Sequence, residues 1–184
     1  MIKKRELLNE QDMLVIIERL CQELLENHQD FTKTVLIGVQ PRGTYFSNRI
    51  INQLKKNIKD SEIINGNIDI SFYRDDLRRR DTPIVPETMD MNLSVENKNV
   101  ILIDDVLYTG RSIRSAIDAL MTFGRPRSVE LLILIDRRFS RQLPIEPNYF
   151  GKKINALESE KVIVEWQEIN GKDRVLMIKS DLHE

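Results

Sequence analysis

VILIDDVLYTGRS, residues 100–112, is the stretch on which the reading of this chain turns. Val100 to Ile103 form a continuous apolar run of the kind buried on both faces of a parallel sheet. The run closes on two adjacent carboxylates, Asp104 and Asp105, and then breaks into Thr109-Gly110-Arg111-Ser112. Ile113, Ala116, Ile117 and Leu120 follow at helical spacing, and Gly124 and Pro126 stop the helix. Strand, acidic pair, glycine turn and helix succeed one another within about twenty residues.

A helix opening at Thr109–Ser112 presents free backbone amides and the positive end of its dipole, which suits an anion. Gly110 permits a tight turn and close approach by a ligand. Carboxylates repel phosphate, so the natural targets of Asp104 and Asp105 are hydroxyls or a divalent cation. A phosphate separated by several ångströms from a vicinal diol matches both ends of the stretch: a phosphorylated ribose. The same residues also admit a structural reading, because Asp is an ordinary cap and turn residue.

The flanks repeat the strand–turn–helix pattern. TVLIGV (34–39) is a short β-branched run punctuated by QPRG, and Phe46, Ile50, Ile51 and Leu54 line one side of the next helix. Met13, Ile17, Leu20 and Leu24 predict an amphipathic helix over 10–28. NIDISFY (67–73) alternates as a half-exposed strand does, and VELLILID (129–136) reads as another buried one. VIVEW and RVLMIK flank Asn170-Gly171, the signature of a hairpin. Residues 74–95 are polar, contain prolines and lack periodicity, as active-site lids and mobile loops do. Buried strands alternating with helices predict a parallel sheet covered on both faces, with ligands at the strands' carboxyl ends. The loops 40–43, 104–112 and 136 onward should therefore converge.

At 184 residues one domain with a real core is expected. Apolar residues make up 41% and charged residues 31%; 28 Lys and Arg against 29 Asp and Glu demand no polyanionic partner, though they do not exclude a local basic face. One cysteine, Cys21, excludes an internal disulfide; His28 and His183 lie at opposite ends of the chain with no partner cysteine at ligand spacing, which disfavours a structural zinc site. No apolar run suggests a signal peptide or a membrane span, so a cytoplasmic protein is expected. GxxxxGK[ST] and GxGxxG are both absent, which disfavours a P-loop NTPase or a dinucleotide fold.

VILIDDVLYTGRS resembles the phosphoribosyl pyrophosphate (PRPP) motif of type I phosphoribosyltransferases. GVQPRG, IDISFYRDDL, DALMTFGRPRSVELLILIDRR and LPIEPNYFGKKI extend the likeness, in order and over nearly the whole chain. They are similar to the PyrR family of bifunctional pyrimidine-operon regulators and uracil phosphoribosyltransferases. The resemblance implies an α/β fold: one phosphoribosyltransferase domain over residues 1–184, with a parallel sheet flanked by helices, a flexible loop and a small hood. The hood would come from roughly 136–184 and the N-terminal region.

The resemblance also implies roles. Asp104 and Asp105 would hold the ribose hydroxyls, and Thr109, Gly110, Arg111 and Ser112 the 5-phosphate. Val106, Leu107 and Tyr108 complete that substrate-binding stretch. Pro41, Arg42 and Gly43 match the pyrophosphate loop, with Arg42 neutralising the leaving group. Pro41 stands where relatives often have Thr, and it lacks both hydroxyl and N–H. Purine enzymes tend to have Asp at the place of Tyr108; a tyrosine cannot act as a carboxylate base at neutral pH, which favours a pyrimidine. Asp136 and Arg137 would belong to the base-recognising side. Arg74, Asp75 and Asp76 would begin the flexible loop, and the run Arg78-Arg79-Arg80 reads as a solvated face. The reaction implied joins uracil to PRPP, giving UMP and pyrophosphate. Mg²⁺ would be held through the substrate's pyrophosphate and hydroxyls rather than by a dedicated protein cage.

The family's second activity is UMP-dependent binding to the leader of pyrimidine-operon mRNA. Arg125, Arg127, Arg138, Arg141, Lys152 and Lys153 could supply one basic face. The chain departs from the family pattern there: RQLPIE replaces the frequent RELPIR, so Glu146 stands in place of a cation. Phe139 and Ser140 stand where a His is common, with one extra residue. The enzyme reading is therefore the firmer one. The alternatives are an mRNA-binding attenuator with little or no enzymatic activity and a nucleotide-binding regulator without turnover. Relatives assemble as homodimers or higher homo-oligomers, and an isologous dimer is expected.

Overall fold

The structure is a computed structural model and describes residues 2–29, 31–58, 63–73, 94–157 and 159–180. Five strands form a parallel sheet in the order β3-β2-β4-β5-β6: β2 Thr34–Val39, β3 Ile64–Ile68, β4 Asn99–Leu107, β5 Ser128–Arg138 and β6 Tyr149–Asn155. Helices α1 (Glu10–His28) and α2 (Gly43–Asn57) cover one face, where Leu20, Phe46 and Ile50 meet Leu36, Ile101 and Leu134. Helix α3 (Arg111–Leu120) covers the other, with Ile113, Ala116 and Leu120 against Val35, Val100 and Leu102. Alternate side chains of each central strand thus enter different cores, which is why β2 and β4 read as unbroken apolar runs.

Helix α1 starts where its cap dictates. Asn9 Oδ1 accepts from the Asp12 amide (2.9 Å) and Asp12 Oδ2 from the Asn9 amide (3.1 Å), a reciprocal capping box. The expected 10–28 and 34–39 spans agree with α1 and β2.

Three expectations need correction. The alternation in 67–73 marks only the end of β3; the strand lies three residues earlier, and Ser71–Tyr73 form a 3₁₀ turn that leaves Phe72 exposed. Strand β4 runs on past its acidic pair to Leu107, because β5 continues alongside it as far as Asp136. The final two strands, β7 (Glu160–Glu165) and β8 (Arg174–Ser180), do pair antiparallel. Their connection is not an Asn-Gly turn, however, but a short helix α4 (Gln167–Asn170) ended by left-handed Gly171 (φ 69°).

Strand β1 (Ile2–Leu8) adds to β8, giving a separate antiparallel sheet in the order β1-β8-β7. Trp166 fixes this sheet to α2. Its buried ring stacks on Phe46 (centroids 6.0 Å apart) and lies under the Arg49 guanidinium, which also binds Glu168 and Asp173. The small sheet is thereby held over the end of the large sheet where β2 and β4 terminate.

Candidate active site

The strand order creates one switch point. The chain leaves β2 toward β3 and leaves β4 toward β5, with α2 and α3 on opposite faces. Ligands of doubly wound sheets enter at such a point, beyond the strands' carboxyl ends.

Gly43 closes the contact between the two loops there. A Cβ at this position would lie 2.4 Å from the Ile103 carbonyl oxygen and 3.1 Å from Asp104 Cα, so only glycine allows the approach. Pairing of β2 with β4 ends at Gly38–Ile103, and the acidic pair occupies the part of β4 that β2 no longer covers. The Gln40–Pro41 peptide is cis, and the Pro41 carbonyl accepts the Thr44 hydroxyl (2.7 Å). Arg42 donates from Nη1 to the Val164 carbonyl of β7 (3.2 Å), linking the loop to the small sheet.

Asp104 and Asp105 are 9% and 6% exposed. Asp104 Oδ1 accepts the Asp105 amide (2.9 Å), while Asp105 Oδ2 is buried without a partner among the described residues. Burial pushes both carboxyls above their ordinary range. The adjacent Asp105 adds to this at Asp104, whereas the Arg42 guanidinium opposes it at Asp105. A buried, incompletely bonded acceptor is costly and suits a site that a hydroxyl or cation completes.

Gly110 caps α3 in the left-handed region (φ 92°), with no side-chain cap on the helix mouth; the Arg111 amide makes a long 3.4 Å contact to Thr109 Oγ1. The Thr109 carbonyl accepts the amides of Gln142 (3.0 Å) and Leu143 (3.2 Å), and the Arg111 Nε donates to Gln142 Oε1 (2.8 Å). Ser112 is half-buried, whereas the Leu107 side chain is committed to the core beneath α3 and Val106 packs on the opposite core. The third loop converges as well. Arg137, buried, stacks over the Tyr108 ring (3.9 Å) and donates from Nη2 to the Leu157 carbonyl (3.1 Å). Its Nε has no hydrogen-bond partner among the described residues, and desolvation lowers its pKa. Asp136 is buried and held by Arg141, which also donates to the Tyr108 carbonyl.

The basic residues do not make one face. Arg125 and Arg127 precede β5 and Arg138 and Arg141 lie at or beyond its exit; an 11-residue strand spans about 33 Å. Arg141 is spent internally on Asp136 and Tyr108, and Lys152 donates to the Leu7 carbonyl (3.1 Å). Arg74, Asp75 and Asp76 lie outside the described residues. Sequence reading missed the clamping role of Arg141 and the carbonyls of Val164 and Leu157, since main-chain acceptors carry no residue signature.

Among the described residues, no three His, Cys, Asp or Glu side chains gather to hold a metal ion, and no helix is long and apolar enough to cross a membrane. Asp104 and the unpartnered Oδ2 of Asp105 do fit a cation carried by a ligand, since a hard ion prefers carboxylate oxygens.

Residues 4–168 match the phosphoribosyl transferase domain. The chain is 39% identical over 178 residues to the bifunctional protein PyrR of Enterococcus faecalis, covering 97% of this chain and 98% of that one. Against the Bacillus subtilis protein of the same name identity is 36% over 184 residues, covering 98% and 100%. In fold it is similar to a hypoxanthine phosphoribosyltransferase of Staphylococcus aureus (TM-score 0.70, 24% identity, 96% and 93% covered). The enzyme of the same name from Trypanosoma cruzi is also alike (0.72, 17%, 96% and 97%). With the switch-point crevice, the acidic pair and the uncapped helix mouth all in place, the chain belongs to the phosphoribosyl transferase family, among the bifunctional PyrR proteins.

Proposed function

We propose that the chain transfers the phosphoribosyl group of PRPP to uracil, giving UMP and pyrophosphate. The observation that carries this reading is the buried, half-satisfied Asp104–Asp105 pair one turn of chain away from the uncapped mouth of α3. The 5-phosphate would lie on the amides at Thr109–Ser112, and the ribose hydroxyls would donate to the two carboxylates. Arg42 would neutralise departing pyrophosphate, and a charge-assisted contact there is stronger than a neutral one. As the bond from C1′ to pyrophosphate breaks, positive charge develops on the sugar; the Asp pair beside it, in its ionised form, would stabilise that charge, more strongly where water is excluded. Mg²⁺, entering with PRPP next to these carboxylates, would spread the negative charge of the leaving group.

The base would meet Tyr108 and Arg137. Tyr108 offers no carboxylate to a purine, and the unpaired Nε of buried Arg137 calls for an acceptor such as a uracil carbonyl. A second role, binding of pyrimidine-operon leader RNA in the UMP-bound state, is favoured by the PyrR relatives and by Arg138, exposed at the exit of β5 and without an ion pair among the described residues. The lone buried Cys21 suits a reducing cytoplasm. The test is PRPP-dependent conversion of labelled uracil, with guanine and hypoxanthine as competitors and Asp104→Asn as control. UMP formation unaffected by the purines and abolished in the variant supports the reading; no transfer to any base refutes it.

A further inference from the structure

Arg137 reaches the crevice from the end of β5 on a long side chain, and a base contact needs its guanidinium held at one angle. Two contacts settle that angle. The guanidinium lies over the Tyr108 ring (3.9 Å), and its Nη2 donates to the Leu157 carbonyl (3.1 Å). Because the group is planar, stacking fixes its plane and the Nη2 bond fixes its rotation within that plane. The direction of Nε, which has no hydrogen-bond partner among the described residues, follows from the two together.

The aim of Arg137 therefore depends on where the Leu157 carbonyl sits. Leu157 lies between β6 and β7 with its side chain 63% exposed, so burial of that side chain does not anchor it. Glu160, the first residue of β7, braces the turn twice. Its amide donates to the Leu157 carbonyl (3.1 Å), closing a four-residue turn, and its carboxylate Oε2 accepts the Leu157 amide (2.9 Å). One carbonyl thus serves Glu160 and Arg137 at once. Beyond Glu160 the strand is fixed by its pairing with β8 and by Val162 and Val164, both buried in the core. Burial lowers the pKa of Arg137, and Tyr108 and then Glu160 oppose it, so the carboxylate also attracts the cation it braces. Arg42 takes its own carbonyl from Val164, four residues further along β7, so the pyrophosphate side does not share this brace.

Resting on the uracil-transfer reading above, we propose that Glu160 is a positioning residue for base recognition. It acts through Arg137 rather than on the base: Glu160 holds the Leu157 carbonyl, the carbonyl holds the guanidinium, and Nε is thereby aimed at an acceptor on the base. The bond from the Leu157 amide carries the role, and an uncharged acceptor of the same length can also receive it.

Steady-state kinetics on the full chain tests this, varying uracil at saturating PRPP and PRPP at saturating uracil. Glu160→Ala should raise KM for uracil about tenfold, with kcat and KM for PRPP within about twofold of wild type. Glu160→Gln keeps the acceptor and should return KM for uracil to within about threefold. In an Arg137→Ala background, Glu160→Ala should add less than about twofold, because the residue it positions is gone. Thermal unfolding checks each variant, and Glu160→Leu, of similar size but without an acceptor, repeats the measurement should the alanine variant unfold. An unchanged KM for uracil in Glu160→Ala and Glu160→Leu overturns the inference and leaves the transfer reading standing. So does an effect that adds fully to that of Arg137→Ala, or a Glu160→Gln variant no better than Glu160→Ala. A loss that falls equally on kcat and on PRPP marks a merely structural residue and overturns it as well. A wild-type chain that transfers to no base overturns the reading and the inference together.

Discussion

The guanidinium of Arg137 lies 3.9 Å from the centre of the Tyr108 ring, joining the end of β5 to the turn that follows β4. This contact ties the proposed base side of the crevice to the proposed phosphate side. A partly desolvated cation–π pair is worth about 1–2 kcal/mol, and Arg137 adds a main-chain bond to Leu157. Tyr108→Phe keeps the ring and should transfer to uracil within about threefold of wild type. Tyr108→Ala loses it and should reduce kcat/KM for uracil about tenfold, in line with that energy. Steady-state kinetics at saturating PRPP measures both.

The acidic pair is buried at a cost in stability. Burial holds both carboxyls above their ordinary range, so the folded chain binds protons that the unfolded chain has released. Stability is then greatest at low pH and falls as pH rises from the ordinary carboxylate range through the raised folded value. Asp104→Asn removes the charge and should raise the unfolding temperature at pH 8 by more than at pH 5, while cutting transfer at least a hundredfold. Thermal unfolding of both proteins at the two pH values, without PRPP, measures the difference.

Gly43 admits no side chain. The carbonyl oxygen 2.4 Å from the added Cβ belongs to β4 backbone, held in the sheet, and cannot yield cheaply. Gly43→Ala should displace the 40–43 turn from Asp104, weakening PRPP binding more than tenfold. Equilibrium titration with PRPP tests this, and an unchanged affinity would show that the turn does not serve the site.

At the opposite end of the sheet, His28, Glu130, Tyr149, Thr34 and Asn27 form a polar cluster. Tyr149 donates to Glu130 (2.8 Å) and receives Asn27 (3.1 Å), and His28 Nε2 lies 3.1 Å from Glu130. Burial, with Glu130 beside it, pushes the Tyr149 hydroxyl up to about 12, so it stays a donor throughout the physiological range. Tyr149→Phe leaves its partners short of a bond and should cost about 1–3 kcal/mol in denaturant unfolding, with uracil transfer unchanged.

The parallel sheet was legible because β2, β4 and β5 bury both faces, and that leaves an unbroken apolar run in the chain. The convergence of Gly43 on Asp104 and of Arg137 on Tyr108 followed from strand order alone. Strand β1 was not legible: KKRE is charged because β1 is an exposed strand of the small sheet, so no apolar run marks it. β6 was missed for a like reason, since Gly151-Lys152-Lys153 breaks the pattern where Gly151 must pass close to the Leu134 carbonyl. Arg141 read as a surface cation because nothing in sequence tells a guanidinium facing solvent from one turned onto Asp136.

A crystal structure of the chain with UMP bound tests the central claim most directly. The phosphate should rest on the amides of residues 109–112, with the 2- and 3-hydroxyls within 3 Å or so of the Asp104 and Asp105 carboxylates. A nucleotide seated with its phosphate away from the mouth of α3, or its ribose out of reach of both carboxylates, would contradict it.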